Sequence, residues 1–372
     1  MEQGKLLFDR VPYRMCRGGV VYMKILANSE FLQYCGRIDY SDPEAPVFVF
    51  PSTYVEFCFT GQKLTAFFAS RKCDTDHYYL GYIADGKQGK LLLAPDGAVT
   101  AYDIPLDSEK EKHRVMLFKR QDGCHTLTFR GLETDEDAVF SEPPALPRRK
   151  IEVFGDSVSC GAVSEALEYT GKPDPEQNGE YSNSYYSYAW MTARNLRAQL
   201  HNTSQGGIAL LDGTGWFREP EAIGMERMYD KIQYNPDLGE PKPWEFFRYT
   251  PHVVIVAIGQ NDSHPEDYMA ADFYGEKAQN WKNHYRDFIL NLQQQYPRAV
   301  FVLCTTILHH SAKWDQAIGA VCSELQDGRI FHFIYNRNGR GTPGHARIAE
   351  AEEMSFELSR FIMAMGDEIW TA

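Results

Sequence analysis

One short stretch, Ser141-Glu142-Pro143-Pro144-Ala145-Leu146-Pro147-Arg148-Arg149-Lys150, divides the chain into two hydrophobic rhythms. Its three prolines remove backbone donors and hold φ near one value, so the stretch continues neither a strand ladder nor a helix and reads as a linker. The division predicts two domains, residues 1–147 and 148–372. In a chain of 372 residues, each is long enough to bury a core of its own.

Before the break, short apolar runs alternate with turn signals. Val47-Phe48-Val49-Phe50, Tyr54 to Phe59, Leu64 to Phe68, Tyr78 to Ile83 and Arg114 to Phe118 are separated by Thr60-Gly61, Asp85-Gly86, Pro95-Asp96-Gly97 and Asp122-Gly123. Period-two patterning broken by residues that tolerate positive φ predicts antiparallel sheet, a β-sandwich of jelly-roll type.

Beyond the break, continuous apolar strands are expected at Ile151 to Phe154, Val253 to Ile258, Val300 to Thr305 and Ile330 to Ile334. Helical stripes lie between and after them: Ala189, Ala193, Leu196 and Leu200; Trp281, Tyr285, Phe288, Ile289 and Leu292; and Met354, Leu358, Phe361, Ile362 and Met365. Strands buried on both faces, alternating with amphipathic helices, predict an α/β domain with a parallel sheet between helical layers. The aromatic residues in these stripes read as core.

Composition excludes several functions. A formal charge of -13 argues against nucleic acid or an anionic membrane as partner, since phosphate binding needs clustered Lys and Arg. No stretch approaches the about 18 apolar residues of a membrane span. The start, Met1 to Arg10, has no basic end followed by an apolar run, so a cytoplasmic home is expected. Eight cysteines without CxxC pairs read as free thiols, mostly buried, and not as a zinc site. An acidic chain with an open sheet edge is compatible with a homo-oligomer.

Four loops follow strands and carry chemistry. Gly155-Asp156-Ser157 offers a serine in a Gly-flanked turn, at the sheet edge where open α/β folds keep their sites. Gln205-Gly206-Gly207 exposes backbone N–H groups able to meet an oxyanion. Gly259-Gln260-Asn261-Asp262 presents the Asn261 amide for the same purpose, with Gly259 supporting the turn. Gly341-Thr342-Pro343-Gly344-His345 sets His345 just before the last helix, where a base can be held in place. Each loop alone is also an ordinary turn; their order along the chain is what carries the argument.

That order resembles the SGNH, or GDSL, hydrolases, whose blocks are Gly-Asp-Ser, an internal Gly, Gly-x-Asn-Asp and a late His. In the first half, Gly36-Arg37, Glu56-Phe57-Cys58-Phe59-Thr60-Gly61 and His113 to Arg120 are similar to the jelly-roll domain of the second carbohydrate esterase family. The resemblance implies a serine esterase with Ser157 as nucleophile and His345 as base. Oxyanion donors at Ser157, Gly206 or Gly207, and Asn261 follow from it, as does the absence of a cofactor or metal. It also implies acetylated oligosaccharides of xylan or glucomannan as substrate. Family members commonly place an Asp two or three residues before the histidine, where this chain has Pro343 and Thr342. A Ser157–His345 dyad is therefore expected, with a distant carboxylate as the lesser option. Asp156 is expected to support the nucleophile turn by local hydrogen bonds.

Trp216, just past the glycine loop, is a candidate platform for a pyranose, while Trp244 reads as packing. Three rivals remain: an SGNH esterase for a non-carbohydrate ester, a carbohydrate-binding protein whose hydrolase domain is inactive, and metal-dependent hydrolysis through His309-His310.

Overall fold

The computed structural model describes residues 12–17, 20–176 and 179–371. The chain start read for targeting, Met1 to Arg10, lies outside them. Among the described residues, no helix is long and apolar enough to cross a membrane.

The first half is a β-sandwich. Among the described residues a seven-stranded and a six-stranded sheet, both antiparallel, enclose a core that includes Phe48, Phe57, Phe68, Val115, Leu117, Leu127 and Phe129. The expected alternation holds in strand Leu64–Lys72, where Leu64, Ala66, Phe68 and Ser70 turn inward. Asp85 and Gly86 take φ of 55° and 84°, the double positive φ of a type I′ turn, and join strands Tyr79–Ala84 and Lys87–Leu92. The Asp122-Gly123 signal has a different cause. A Cβ on Gly123 would lie 2.0 Å from the Tyr234 hydroxyl, so the glycine permits a close approach from the other half of the chain.

The second half is a five-stranded parallel sheet, in the order Ala198–Ser204, Arg149–Gly155, Val253–Ala257, Val300–Cys304 and Ile330–His332. Residues of the central strand alternate between faces. Val254 and Val256 meet helices Glu276–Gln295 and Ala312–Leu325, whereas Val253, Ile255 and Ala257 meet helices Tyr188–Asn195 and Ile348–Met363. The result is three layers.

One helical expectation needs correction, and one helix is added. Leu200 belongs to a strand: helix Tyr188–Asn195 ends before it, and Arg197, at φ 52°, turns the chain into Ala198–Ser204. Leu200 shares the helix stripe's spacing only because both elements pack into the same core. Helix Ala312–Leu325 lay unread between strands, although Trp314, Ala317, Ile318 and Val321 form its buried face.

Residues 142–148 carry no regular secondary structure, yet the halves are closely joined. Phe50 stacks on Tyr234 at 5.3 Å, and Tyr54 on Trp190 at 5.9 Å. Arg37 reaches from the sandwich to Glu152, inside strand Arg149–Gly155 of the parallel sheet. Its Nε and Nη2 both lie 2.9 Å from Oε1, with neither side chain exposed. Tyr296 and Thr203 donate to the same carboxylate, and Trp244 packs under the guanidinium. Trp244 is thus the packing residue expected.

Candidate active site

Strand Arg149–Gly155, second in the sheet, turns directly into the short helix Ser157–Cys160. Asp156 caps that helix, its Oδ1 accepting from the Val158 amide at 3.0 Å. Its Oδ2 accepts from Gln260 Nε2 at 2.6 Å, and Gln260 Oε1 accepts from the Thr306 hydroxyl at 2.6 Å. Burial raises the Asp156 carboxyl to about 6, against the opposing pull of these donors. Gly155 is required by the tight turn, because a Cβ there would lie 2.1 Å from Ser159 Oγ. Ser157 emerges at the tip, 8% exposed and facing a cleft.

His345 meets it from the loop before the last helix. Its Nε2 lies 2.7 Å from Ser157 Oγ, and its Nδ1 lies 2.5 Å from Asp174 Oδ2. With Nδ1 donating to the carboxylate, Nε2 is left to accept from the serine hydroxyl. The expected dyad is therefore corrected to a Ser157–His345–Asp174 chain of contacts. The carboxylate comes from 171 residues upstream, where no spacing rule points. Its loop is tied down by the final helix: Glu350 Oε1 accepts from the Gly171 amide at 3.0 Å, and Arg347 Nη2 donates to Asp174 Oδ1 at 2.9 Å. Gly344 leaves room for this, since a Cβ there would lie 2.6 Å from Asp174 Oδ1. Burial alone would raise the Asp174 carboxyl. Hydrogen bonds from the His345 ring and amide and from Arg347 outweigh it, holding the group well below the usual carboxylate range.

The oxyanion candidates separate. The Gly206 amide is committed to Asp122 Oδ2 at 3.0 Å. The Gly207 amide has no acceptor among the described residues, and at φ 73° its position suits glycine. Asn261 Nδ2 donates to the Ile208 carbonyl at 2.9 Å and stands 3.4 Å from Asp156 Oδ2, so its amide is partly engaged in this resting arrangement. Gly259, at φ 137°, starts the turn that carries Gln260 and Asn261.

These residues open into a cleft of about 640 Å³ lined from both halves of the chain. Asp74, Tyr78 and Asp122 come from the sandwich, whereas Trp216 and His309 come from the α/β half. Trp216 is 57% exposed and stacks on His264 with ring centres 3.3 Å apart, which fixes an open aromatic face at the rim. The metal reading through His309-His310 fails on geometry. His310 spends Nε2 on Asp315 at 3.0 Å and Nδ1 on the Leu308 carbonyl at 2.6 Å. The cysteines are free, as expected, but only Cys35, Cys160 and Cys304 are buried; Cys16 and Cys73 are exposed. Of the exposed pair, Cys16 lies in strand Tyr13–Arg17 and Cys73 just past strand Leu64–Lys72.

Residues 34–144 match the family model described as carbohydrate esterase 2 N-terminal. Across 342 residues the chain is 28% identical to an acetylxylan esterase / glucomannan deacetylase of Cellvibrio japonicus, covering 90% of this chain and 89% of the relative. The chain resembles carbohydrate esterase family 2. The structure of a family two carbohydrate esterase from Cellvibrio japonicus superposes with a TM-score of 0.77 at 24% identity, covering 94% of this chain and 99% of that one. That of a family two carbohydrate esterase from Clostridium thermocellum in complex with cellohexaose gives 0.74 at 23% identity, covering 90% and 98%.

The fold brings Ser157, the glycine loop, Asn261 and His345 to one place, as their order predicts, and adds groups that hold them. Asp174, Arg347 and Asp122 lie in no block, and Gln260 fills the variable position of one. Arg347 left one readable signal: it is a charged residue two positions after the histidine, directly ahead of an apolar helix face, where the fold buries it.

Proposed function

We propose that this chain is a carbohydrate O-acetyl esterase that removes acetyl groups from hemicellulose-derived oligosaccharides through a serine acyl-enzyme. The observation that carries the reading is the 2.7 Å contact between Ser157 and His345, with Asp174 behind the imidazole, at the floor of a cleft large enough for sugar residues. His345 takes the proton as Ser157 attacks the acetyl carbonyl, and Asp174 orients the ring and stabilises the imidazolium. The amides of Ser157 and Gly207 supply the oxyanion donors, joined by Asn261 once its side chain turns from Asp156. Protonated His345 then delivers its proton to the departing sugar hydroxyl, and water repeats the sequence on the acyl-enzyme. Trp216 supplies an apolar face for a pyranose ring. The similarity to acetylxylan esterase / glucomannan deacetylase supports the choice of substrate class.

The test is acetate release from acetylated xylan and glucomannan oligosaccharides, run beside p-nitrophenyl acetate. Release by the wild type that disappears in Ser157→Ala is the expected result. Hydrolysis of the aryl ester alone would select a non-carbohydrate ester, and no hydrolysis of either would select a binding protein.

A further inference from the structure

One thiol at the cleft, Cys124, has a second, Cys73, beside it, and the reaction uses neither. Cys73 follows strand Leu64–Lys72, and Cys124 precedes strand His125–Asp135. His125 pairs with Lys72, so continuing the antiparallel register sets Cys124 opposite Cys73, and the Cys73 amide donates to the Cys124 carbonyl at 3.0 Å. Directly opposed residues on antiparallel strands have Cα atoms about 4.5–5.5 Å apart. A disulfide needs roughly 4.4–6.8 Å. The two sulfurs already lie within 4.8 Å of one another. Cys73 is exposed; Cys124 is half-buried and lines the cleft.

The pair is wired to the catalytic loops. Gln205 Nε2 donates to Cys124 Sγ at 3.5 Å and to Asp122 Oδ2 at 2.9 Å. Asp122 accepts from the Cys124 amide at 3.2 Å through Oδ1 and from the Gly206 amide at 3.0 Å through Oδ2. A Cβ on Gly206 would lie 3.9 Å from Ser157 Cβ, so one carboxylate links the thiol loop to the wall beside the nucleophile.

We propose that Cys73 and Cys124 form a dithiol modification site, closing to a disulfide on reaction with a low-molecular-weight disulfide and thereby lowering turnover at Ser157. A hydrogen bond between the two side chains draws Cys73 below the usual thiol range and, together with burial, raises Cys124, which makes the exposed Cys73 the attacking group. Its thiolate attacks one sulfur of the small disulfide, forming a mixed disulfide and releasing one small thiolate. Cys124, giving up its proton, then attacks Cys73 Sγ, forming the Cys73–Cys124 bond and releasing the second. The protein loses two electrons and two protons; the small disulfide gains both and leaves as two thiols. Closing the bond pulls Cys124 Sγ off Gln205 and moves the Asp122 carboxylate that holds Gly206. The linkage itself is independent of the esterase reading; its effect on turnover rests on that reading.

The experiment incubates the reduced full chain with oxidised glutathione, maps cross-links by non-reducing peptide mass spectrometry, and follows p-nitrophenyl acetate hydrolysis before and after dithiothreitol. The expected result is a Cys73–Cys124 cross-link and a fall in kcat/KM of about tenfold, less than the roughly 10²-fold that a misplacement of ~1 Å at the reacting groups can cost. Dithiothreitol restores the rate. Cys73→Ser keeps the reduced rate and becomes insensitive to oxidised glutathione. Three results overturn the proposal: glutathione retained on Cys16 or Cys73 with no internal cross-link, a complete cross-link with an unchanged rate, or equal inhibition of Cys73→Ser. An inactive reduced chain sinks the esterase reading alone, because the mass map still decides whether the linkage forms.

Discussion

Asp174 shows how one side chain sets the tautomer of another. Its carboxylate leaves His345 Nε2 free to accept from Ser157, and Asp174→Asn would present an amide able to bind the other tautomer. We expect kcat to fall by roughly 10²- to 10⁴-fold with little change in KM. Steady-state hydrolysis of p-nitrophenyl acetate measures this, and an unchanged kcat would return the site to a dyad. The pH dependence has a definite sign. Because the folded pKa is depressed, the stabilisation tied to ionised Asp174 is present above its unfolded value of about 4 and is lost as pH falls through the folded value. Thermal unfolding below about pH 4 should therefore show a smaller acid-induced loss in Asp174→Asn than in the wild type.

At the scale of elements, the turn from strand Arg149–Gly155 into helix Ser157–Cys160 is stabilised by a group whose titration runs the other way. Asp156 is raised to about 6 by burial. Its protonated form is the favoured one in the fold, so that contribution is present below about pH 4 and is lost as pH rises through the folded value. Between about pH 4 and 7 the wild type should lose stability relative to Asp156→Asn, whose side chain does not ionise; parallel melting curves at several pH values across this window would remove the assignment. Asp156→Ala also deletes the acceptor for Val158 and Gln260. It should lower both melting temperature and kcat, since the cap holds the serine and a lost cap costs about 1 kcal/mol. Full activity in that variant would show that the turn keeps its shape without the carboxylate.

At the scale of the whole molecule, the two halves share cores and a buried ion pair. Val49 and Phe50 of the sandwich lie within the core on one face of the parallel sheet, and Cys35, Tyr54 and Phe118 within the other. The chain should accordingly unfold in one cooperative transition, which calorimetry checks by comparing calorimetric and van't Hoff enthalpies. Arg37→Met leaves Glu152 buried without its cation and should cost about 3–5 kcal/mol. The double variant Arg37→Met, Glu152→Leu should recover much of that loss, because neither charge then remains uncompensated. If the single variant melted like the wild type, the pair would not be what joins the halves. The joint matters for function because the cleft draws its walls from both sides of it.

Local order was legible from residues close together in the chain. Alternation in Leu64 to Phe68, the apolar run at Val253 and the stripe from Trp281 to Leu292 each report burial through a period that neighbouring residues set, so these elements were readable one by one. Ser157, Gly259, Asn261 and His345 were readable only together, since each loop alone is an ordinary turn and their order after successive strands is what sets them apart. Leu200 went astray because a helix stripe and the strand after it fill the same core, and spacing alone does not separate them. Asp174, Gln260, Arg347 and Asp122 carried no periodic signal at all. Their roles come from contacts between segments far apart in sequence, held by the packing of the last helix on the Asp174 loop and of the sandwich on the glycine loop. Neighbouring residues were enough to specify two folding rhythms, and the order of four loops along the chain was enough to single out Ser157 and His345. Which carboxylate faces the base and which amide stays free was left to the folded chain, because hydrogen bonds between distant segments exist only once both cores have closed.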